Sequence, residues 1–246
     1  MKALVLEKQL ELKLRDIDLP TDVGPDDVKI KMHTVGICGS DIHYYEHGKI
    51  GQWHVNAPMV LGHEGSGTVI AVGKNENILK EGDRVCIEPQ VVSKKSKEYK
   101  IGMYNYDQKV KFWATPPIHG CLVPEVIFPA DLVFKIPDNL SFAEGAMVEP
   151  LAVGMQGATK ANIKPGQIGL VMGCGPIGIV TALAALAGGC AKVFIADILS
   201  EKLKICENYP DLIPIDLKNE NLQEKIMKET NNWGVNCFFE CSGAVK

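Results

Sequence analysis

Cys38, His63, Glu64 and Glu149 supply one thiolate, one imidazole and two carboxylates. That mixed donor set suits Zn²⁺ with a coordination position left open, which a catalytic metal needs. An ion so held acts as a Lewis acid on a substrate oxygen. The four residues sit in Gly36-Ile37-Cys38-Gly39-Ser40-Asp41-Ile42-His43, in Gly62-His63-Glu64-Gly65 and in Val148-Glu149-Pro150. Each stretch alone is a modest signal, because a lone Cys or His more often packs than ligates. The combination carries the argument.

A second chemistry is written in Gly173-Cys174-Gly175-Pro176-Ile177-Gly178. A lone GxGxxG is weak, but this one follows the apolar run Ile168–Gly173 and opens an Ala/Leu-rich helical stretch reaching about Leu186, the context a dinucleotide needs. Gly173 permits the tight turn, Gly175 lets the backbone approach a pyrophosphate, and Gly178 lets helix and sheet pack closely. The helix N-terminus then presents free N–H groups to phosphate. About 20 residues on, Asp197 ends the next strand, where a carboxylate accepts from ribose hydroxyls. The same charge repels a 2′-phosphate and no Arg follows at once, so NAD is expected over NADP.

The elements that position these residues change in style along the chain. Lys2–Leu6, Leu10–Arg15, Val28–Val35, Gly67–Val72 and Arg84–Ile87 alternate or run apolar between Gly, Pro and Asp, which predicts strands. Val91 to Pro117 is polar and irregular and predicts a long loop or lobe, after which Leu122–Phe134 resumes strand-like composition. Beyond Pro150 strand and helix alternate: Ile168–Gly173, Lys192–Asp197, Leu212–Ile215 and Val235–Cys241 as strands, Ser200–Asn208 (capped by Ser200) and Asn221–Thr230 as helices. That alternation predicts a parallel sheet covered by helices. A doubly wound dinucleotide fold has six strands and only four are read here, so the second domain is expected to be incomplete, with Val235–Cys241 as an exposed edge.

Composition narrows the function classes. The net charge is -4 and no basic stripe stands out; Lys94-Lys95-Ser96-Lys97 reads as a solvated loop, so nucleic acid is not an expected partner. The longest apolar run, Ile177 to Cys190, is too short to cross a bilayer, and a charge at Glu7 comes too early for a signal peptide. A soluble cytoplasmic protein is expected. The eight scattered cysteines form no CxxC pair and predict buried core thiols in a reducing compartment.

Taken together, GICGSD-x-H, GHE, VEP and GxGPIG resemble the zinc-dependent medium-chain alcohol dehydrogenases across essentially the whole chain. The segment His43-Tyr44-Tyr45-Glu46-His47-Gly48-Lys49-Ile50-Gly51 and the stretch Phe112-Trp113-Ala114-Thr115-Pro116-Pro117 are similar to the polyol branch, the xylitol and sorbitol dehydrogenases. The resemblance implies a β-rich GroES-like catalytic domain over 1–150. An α/β Rossmann NAD-binding domain, a parallel doubly wound sheet left incomplete, would follow over 151–246. It further implies oxidation of a polyol to a ketose with hydride transfer to NAD. Cys38, His63 and Glu64 would bind zinc, and Glu149 would reach it directly or through its water. Asp41 would orient His63. Ser40 would take the alcohol proton and pass it, by way of the cofactor ribose, toward His43 and solvent. Tyr44, Phe112 and Thr115 would line the substrate pocket. Pro176, Ile177 and Lys202 would contact the cofactor with the glycines, Lys202 replacing a common Arg.

Many relatives carry a second, structural zinc on four cysteines in the lobe after the EP dipeptide. Here Glu88-Pro89 is followed by no cysteine from Gln90 to Pro117, so one zinc is expected and not two. The family is homo-oligomeric, and its usual interface, later strands and a substrate-contacting Arg are expected to lie past Lys246. A folded zinc-binding fragment without turnover is therefore one alternative. A zinc-free reductase is another, opposed by the Cys38/His63/Glu64 set. A sibling enzyme acting on threonine or a simple alcohol is the third, opposed only by the Tyr44 region and the cysteine-free lobe.

Overall fold

The computed structural model describes residues 1–243. The chain folds as two compact units, Met1–Glu149 and Pro150–Lys246, the division falling in the first turn of the helix Val148–Lys160.

The first unit is built on a five-stranded antiparallel sheet in the spatial order Glu125–Pro129, Asp27–Gly36, Glu64–Val72, Arg84–Ile87, Val133–Lys135. Its inward residues, among them Val28, Ile30, Val69, Val85, Val126 and Phe128, form one core with Trp113 and Cys121. A smaller sheet sets Lys2–Lys8 between Glu11–Asp16 and Met59–Val60. The pairing that matters for chemistry is Asp27–Gly36 with Glu64–Val72, whose last register pair is Gly36 with Glu64.

The expected irregular lobe holds some order. Gln90–Val91 pairs with Lys111–Phe112, and Ser96 caps a single turn, Lys97–Lys100, its hydroxyl accepting from the Tyr99 amide at 3.1 Å. Lys94, in keeping with a solvated loop, is exposed and pairs with Asp131 at 2.6 Å.

The second unit contains a four-stranded parallel sheet ordered Leu212–Asp216, Lys192–Asp197, Ile168–Met172, Cys237–Glu240. Lys192–Asp197 is buried at five consecutive positions, because a parallel strand with helices on both faces needs apolar residues on both. The chain order along the sheet reverses between Ile168–Met172 and Cys237–Glu240, the switch point where such sheets bind ligands. Among the described residues Cys237–Glu240 lies at the edge of this sheet, with Phe238 56 % exposed.

Two local expectations are corrected. Ser200–Asn208 is not one helix: an α-turn Ser200–Leu203 gives way to a 3-10 segment Lys204–Asn208. Ser200 is not its cap, since the capping position is Leu199 and the Ser200 hydroxyl donates to Asp216 at 2.7 Å instead. The carboxylate of Asp197 serves this turn in its place, accepting from the Leu199 amide at 2.8 Å. All eight cysteines are free thiols; five are buried, and Cys38, Cys237 and Cys241 are half-buried. Among the described residues no helix is long and apolar enough to cross a membrane.

Candidate active site

Cys38 stands at the N-cap of the helix Gly39–His47, in extended backbone just after the Asp27–Gly36 strand. Glu64 opens the neighbouring strand and His63 stands just before it, preceded by Gly62 at φ +88°. A side chain at Gly62 would be strained by that φ, and its Cβ would sit 2.9 Å from both Leu122 and Val35. Strand pairing and the tight turn thus bring residues 25 apart in sequence into one place. One donor atom from each of Cys38, His63 and Glu64 lies within 4.8 Å of the others. His63 and Glu64 are buried, and His63 Nδ1 has no hydrogen-bond partner. A buried polar atom left unpaired costs about 1–3 kcal/mol, so an orphaned imidazole nitrogen beside a thiol and a carboxylate fits a metal ion.

The electrostatics agree. Burial pushes the Cys38 thiol up, although hydrogen bonds from the Ser40 side chain and amide oppose it. Burial raises Glu64 against the pull of His63 and Cys38. Burial also raises Glu149, with the Glu64 charge adding to it and His63 opposing. Burial thus raises all three acidic groups, and a divalent cation beside them would favour their ionised forms.

Glu149 lies near enough to feel both His63 and Glu64 but stands outside the tight three-donor group. Asp41 does something other than orient the imidazole. Its Oδ2 accepts from the Cys38 amide at 3.0 Å and its Oδ1 from the Gly62 amide at 2.9 Å. One buried carboxylate therefore pins the backbone under both ligand-bearing segments, its two oxygens bonding these amides and not the His63 ring. Phe112 packs edge-on to His63, ring centres 5.4 Å apart. Tyr44 is buried against Leu6, Met59, Leu61 and Ala114, and its hydroxyl shares a hydrogen bond with Thr115. His43 is exposed on the same helix.

Gly36 is plain in the first motif, yet residue type alone does not reveal its role. A Cβ there would lie 2.1 Å from Glu64 Oε2 and 3.1 Å from Glu64 Cβ. Only glycine leaves room for the carboxylate to face Cys38 and His63. Gly36→Ala is expected to weaken metal binding by about 10–100-fold, the usual penalty for losing a supporting contact around a metal. Competition against a chromophoric chelator measures this, and an unchanged affinity would contradict it.

In the second unit the Gly173–Gly178 turn has the geometry its sequence implies. Gly173 has φ +98° and a Cβ there would meet the Ser242 backbone at 2.7 Å. A Cβ at Gly178 would sit 1.8 Å from the Gly173 carbonyl oxygen. At Gly175 nothing lies within 4 Å, leaving open space above the N-cap of the helix Pro176–Ala187, whose first residue is Pro176 with Ile177 half-buried behind it. That cradle fits a pyrophosphate.

Asp197 accepts from the Cys174 amide at 2.8 Å as well as from Leu199, so it braces the turn. Each carboxylate oxygen retains acceptor capacity for a ribose hydroxyl. Lys202 is exposed nearby, and its carbonyl accepts from the Cys174 thiol at 3.3 Å. Burial raises the Asp197 carboxyl, but the Cys174 and Leu199 amides and Lys202 outweigh it and hold the group below the ordinary carboxylate range. A group lowered on folding adds stability above its unfolded value of about 3.9, and that stability is lost as pH falls through the folded value. The melting temperature of the wild type should therefore exceed that of Asp197→Asn most at neutral pH, the gap closing below about pH 4. A gap independent of pH would contradict this.

Comparison with known proteins matches this architecture. The model of the alcohol dehydrogenase GroES-like domain matches residues 24–138. The D-xylulose reductase of Morganella morganii is 57 % identical over 245 residues, covering 99 % of this chain and 72 % of that protein. Sorbitol dehydrogenase of Mus musculus is 41 % identical over 244 residues, covering 98 % of this chain and 68 % of that one. The crystal structure of an oxidoreductase/dehydrogenase from Escherichia coli superposes with a TM-score of 0.92 at 34 % identity, covering 99 % of this chain and 70 % of that one. The chain belongs to the zinc-dependent medium-chain dehydrogenase/reductase family, in its polyol branch.

Proposed function

We propose that this protein oxidises a polyol of the xylitol or sorbitol type to the ketose, with NAD taking the hydride and one zinc ion held by Cys38, His63 and Glu64. The observation that carries the reading is the buried three-donor group with its unpartnered His63 nitrogen. It occurs in a chain related to a D-xylulose reductase and a sorbitol dehydrogenase.

When bound, zinc supplies a Lewis acid that makes a hydroxyl more acidic, and the nicotinamide accepts hydride from carbon. The remaining work falls to side chains of this chain. Ser40, whose hydroxyl rests against the Cys38 sulfur, takes the alcohol proton, and exposed His43 delivers it to water. Glu149 stands beside the three ligands and binds a substrate hydroxyl or a water of the metal. Tyr44 with Thr115 and Phe112 shape the pocket for a hydroxylated chain. Gly173, Gly175, Pro176, Ile177 and Gly178 cradle the pyrophosphate. Asp197 binds the adenosine ribose and, by its charge, selects NAD over NADP; Lys202 flanks it. No cysteine lies between Gln90 and Pro117, so the site takes one catalytic zinc and the lobe takes none.

The test is NADH formation by the zinc-loaded chain with xylitol, sorbitol, threonine and ethanol in parallel. Turnover of the polyols above the other two supports the reading. A preference for threonine or ethanol would move the chain to a sibling activity.

A further inference from the structure

A pair of imidazoles outside the three-donor group lies on the first helix of the chain. His43 and His47 are four residues apart on the helix Gly39–His47, both exposed, with ring centres 5.6 Å apart and planes tilted by 35°. Side chains at i and i+4 share a helix face, and two histidines so placed are a recurrent chelating pair. The spacing suits an ion. A nitrogen binds a divalent transition metal at about 2.0–2.1 Å, which puts the metal about 3.2 Å from the ring centre. Two rings on one tetrahedral ion would then have centres about 5.2 Å apart. The observed separation is close to that, and small side-chain rotations on an exposed face close the gap.

We propose that His43 and His47 form a second metal site, a two-imidazole clamp that takes a borderline divalent ion such as Ni²⁺, Cu²⁺ or Zn²⁺ and inhibits the enzyme when filled. Two imidazoles with water completing the shell favour this class over Mg²⁺ or Ca²⁺, which prefer oxygen ligands. With no thiolate and no burial, the site is weaker than the Cys38 centre. It is a site for excess metal, filled after the catalytic one. Inhibition follows because a metal on the His43 nitrogen occupies the lone pair that would carry the proton. That half of the inference rests on the proton-carrying role proposed above for His43; the binding half does not.

The experiment titrates zinc-loaded protein with Ni²⁺ by calorimetry and follows polyol turnover over the same range, for the wild type and for His47→Gln. His47 is exposed and takes no part in the proposed chemistry, and Gln is at home in a helix. The expected result is about one further Ni²⁺ per wild-type chain, bound at least about tenfold more weakly by the variant, with Cu²⁺ tighter than Ni²⁺. Turnover should fall as the wild-type site fills and hold in the variant. Equal affinity in the two proteins, or no further site, would overturn the clamp. A filled site with undiminished turnover would keep the clamp and overturn the inhibition, and with it the role given to His43.

Discussion

Cys38→Ser is expected to lose the metal and nearly all polyol oxidation. Serine removes the one soft, anionic ligand and leaves a neutral hydroxyl that does not ionise at neutral pH. A metal Lewis acid contributes several kcal/mol to stabilising developing charge. At about 1.4 kcal/mol per factor of ten, the loss in kcat/KM is about a thousandfold or more. Co²⁺ substitution separates this from general damage: the wild type should show a thiolate-to-cobalt charge-transfer band that Cys38→Ser lacks. NAD affinity should survive, because the glycine turn belongs to the other unit. A variant that keeps metal and activity would remove Cys38 from the mechanism.

Gly178→Val should produce the complementary defect. Even a single Cβ would sit 1.8 Å from the Gly173 carbonyl oxygen, and two more methyl groups must follow it. The helix Pro176–Ala187 cannot stay packed on Ile168–Met172 without moving the turn, so the phosphate cradle is lost. Overpacking of this kind costs about 1–3 kcal/mol. For a unit of this size each kcal/mol lowers the melting temperature by about 4–8 °C. NAD binding, read by quenching or calorimetry, should fall below detection while zinc stays bound at Cys38. Normal NAD affinity in Gly178→Val would mean that the turn does not hold the cofactor.

The contrast between these two sites shows what residue types can reveal. The placement of Asp197 and the three glycines was legible because it is tied to fixed spacing along one strand-turn-helix unit. Lys192–Asp197 was legible to the residue because burial on both faces leaves a continuous apolar run. Cys38, His63 and Glu64 were legible as a set through family resemblance, since the pairing of Gly36 with Glu64 that joins them is a register fact no single segment contains. The contact made by Asp41 was misplaced for the same reason. Its residue type implied a partner for His63, whereas the fold aims both oxygens at the amides of Cys38 and Gly62. Ser200 failed as a cap because the helix starts one residue earlier than expected, at a Leu199 cap, and the Ser200 hydroxyl donates to Asp216 on the neighbouring strand. That partner lies 16 residues away, so the exchange depends on strand placement that the local segment does not contain.

Metal content is the most direct test of the account. The purified chain, dialysed against metal-free buffer and analysed by atomic emission, should retain about one zinc per chain. That stoichiometry follows from one buried three-donor centre and a lobe without cysteines. A chain that retains no zinc would contradict the site on which the proposed chemistry rests, and a His47→Gln chain that retains two would contradict the single-zinc reading.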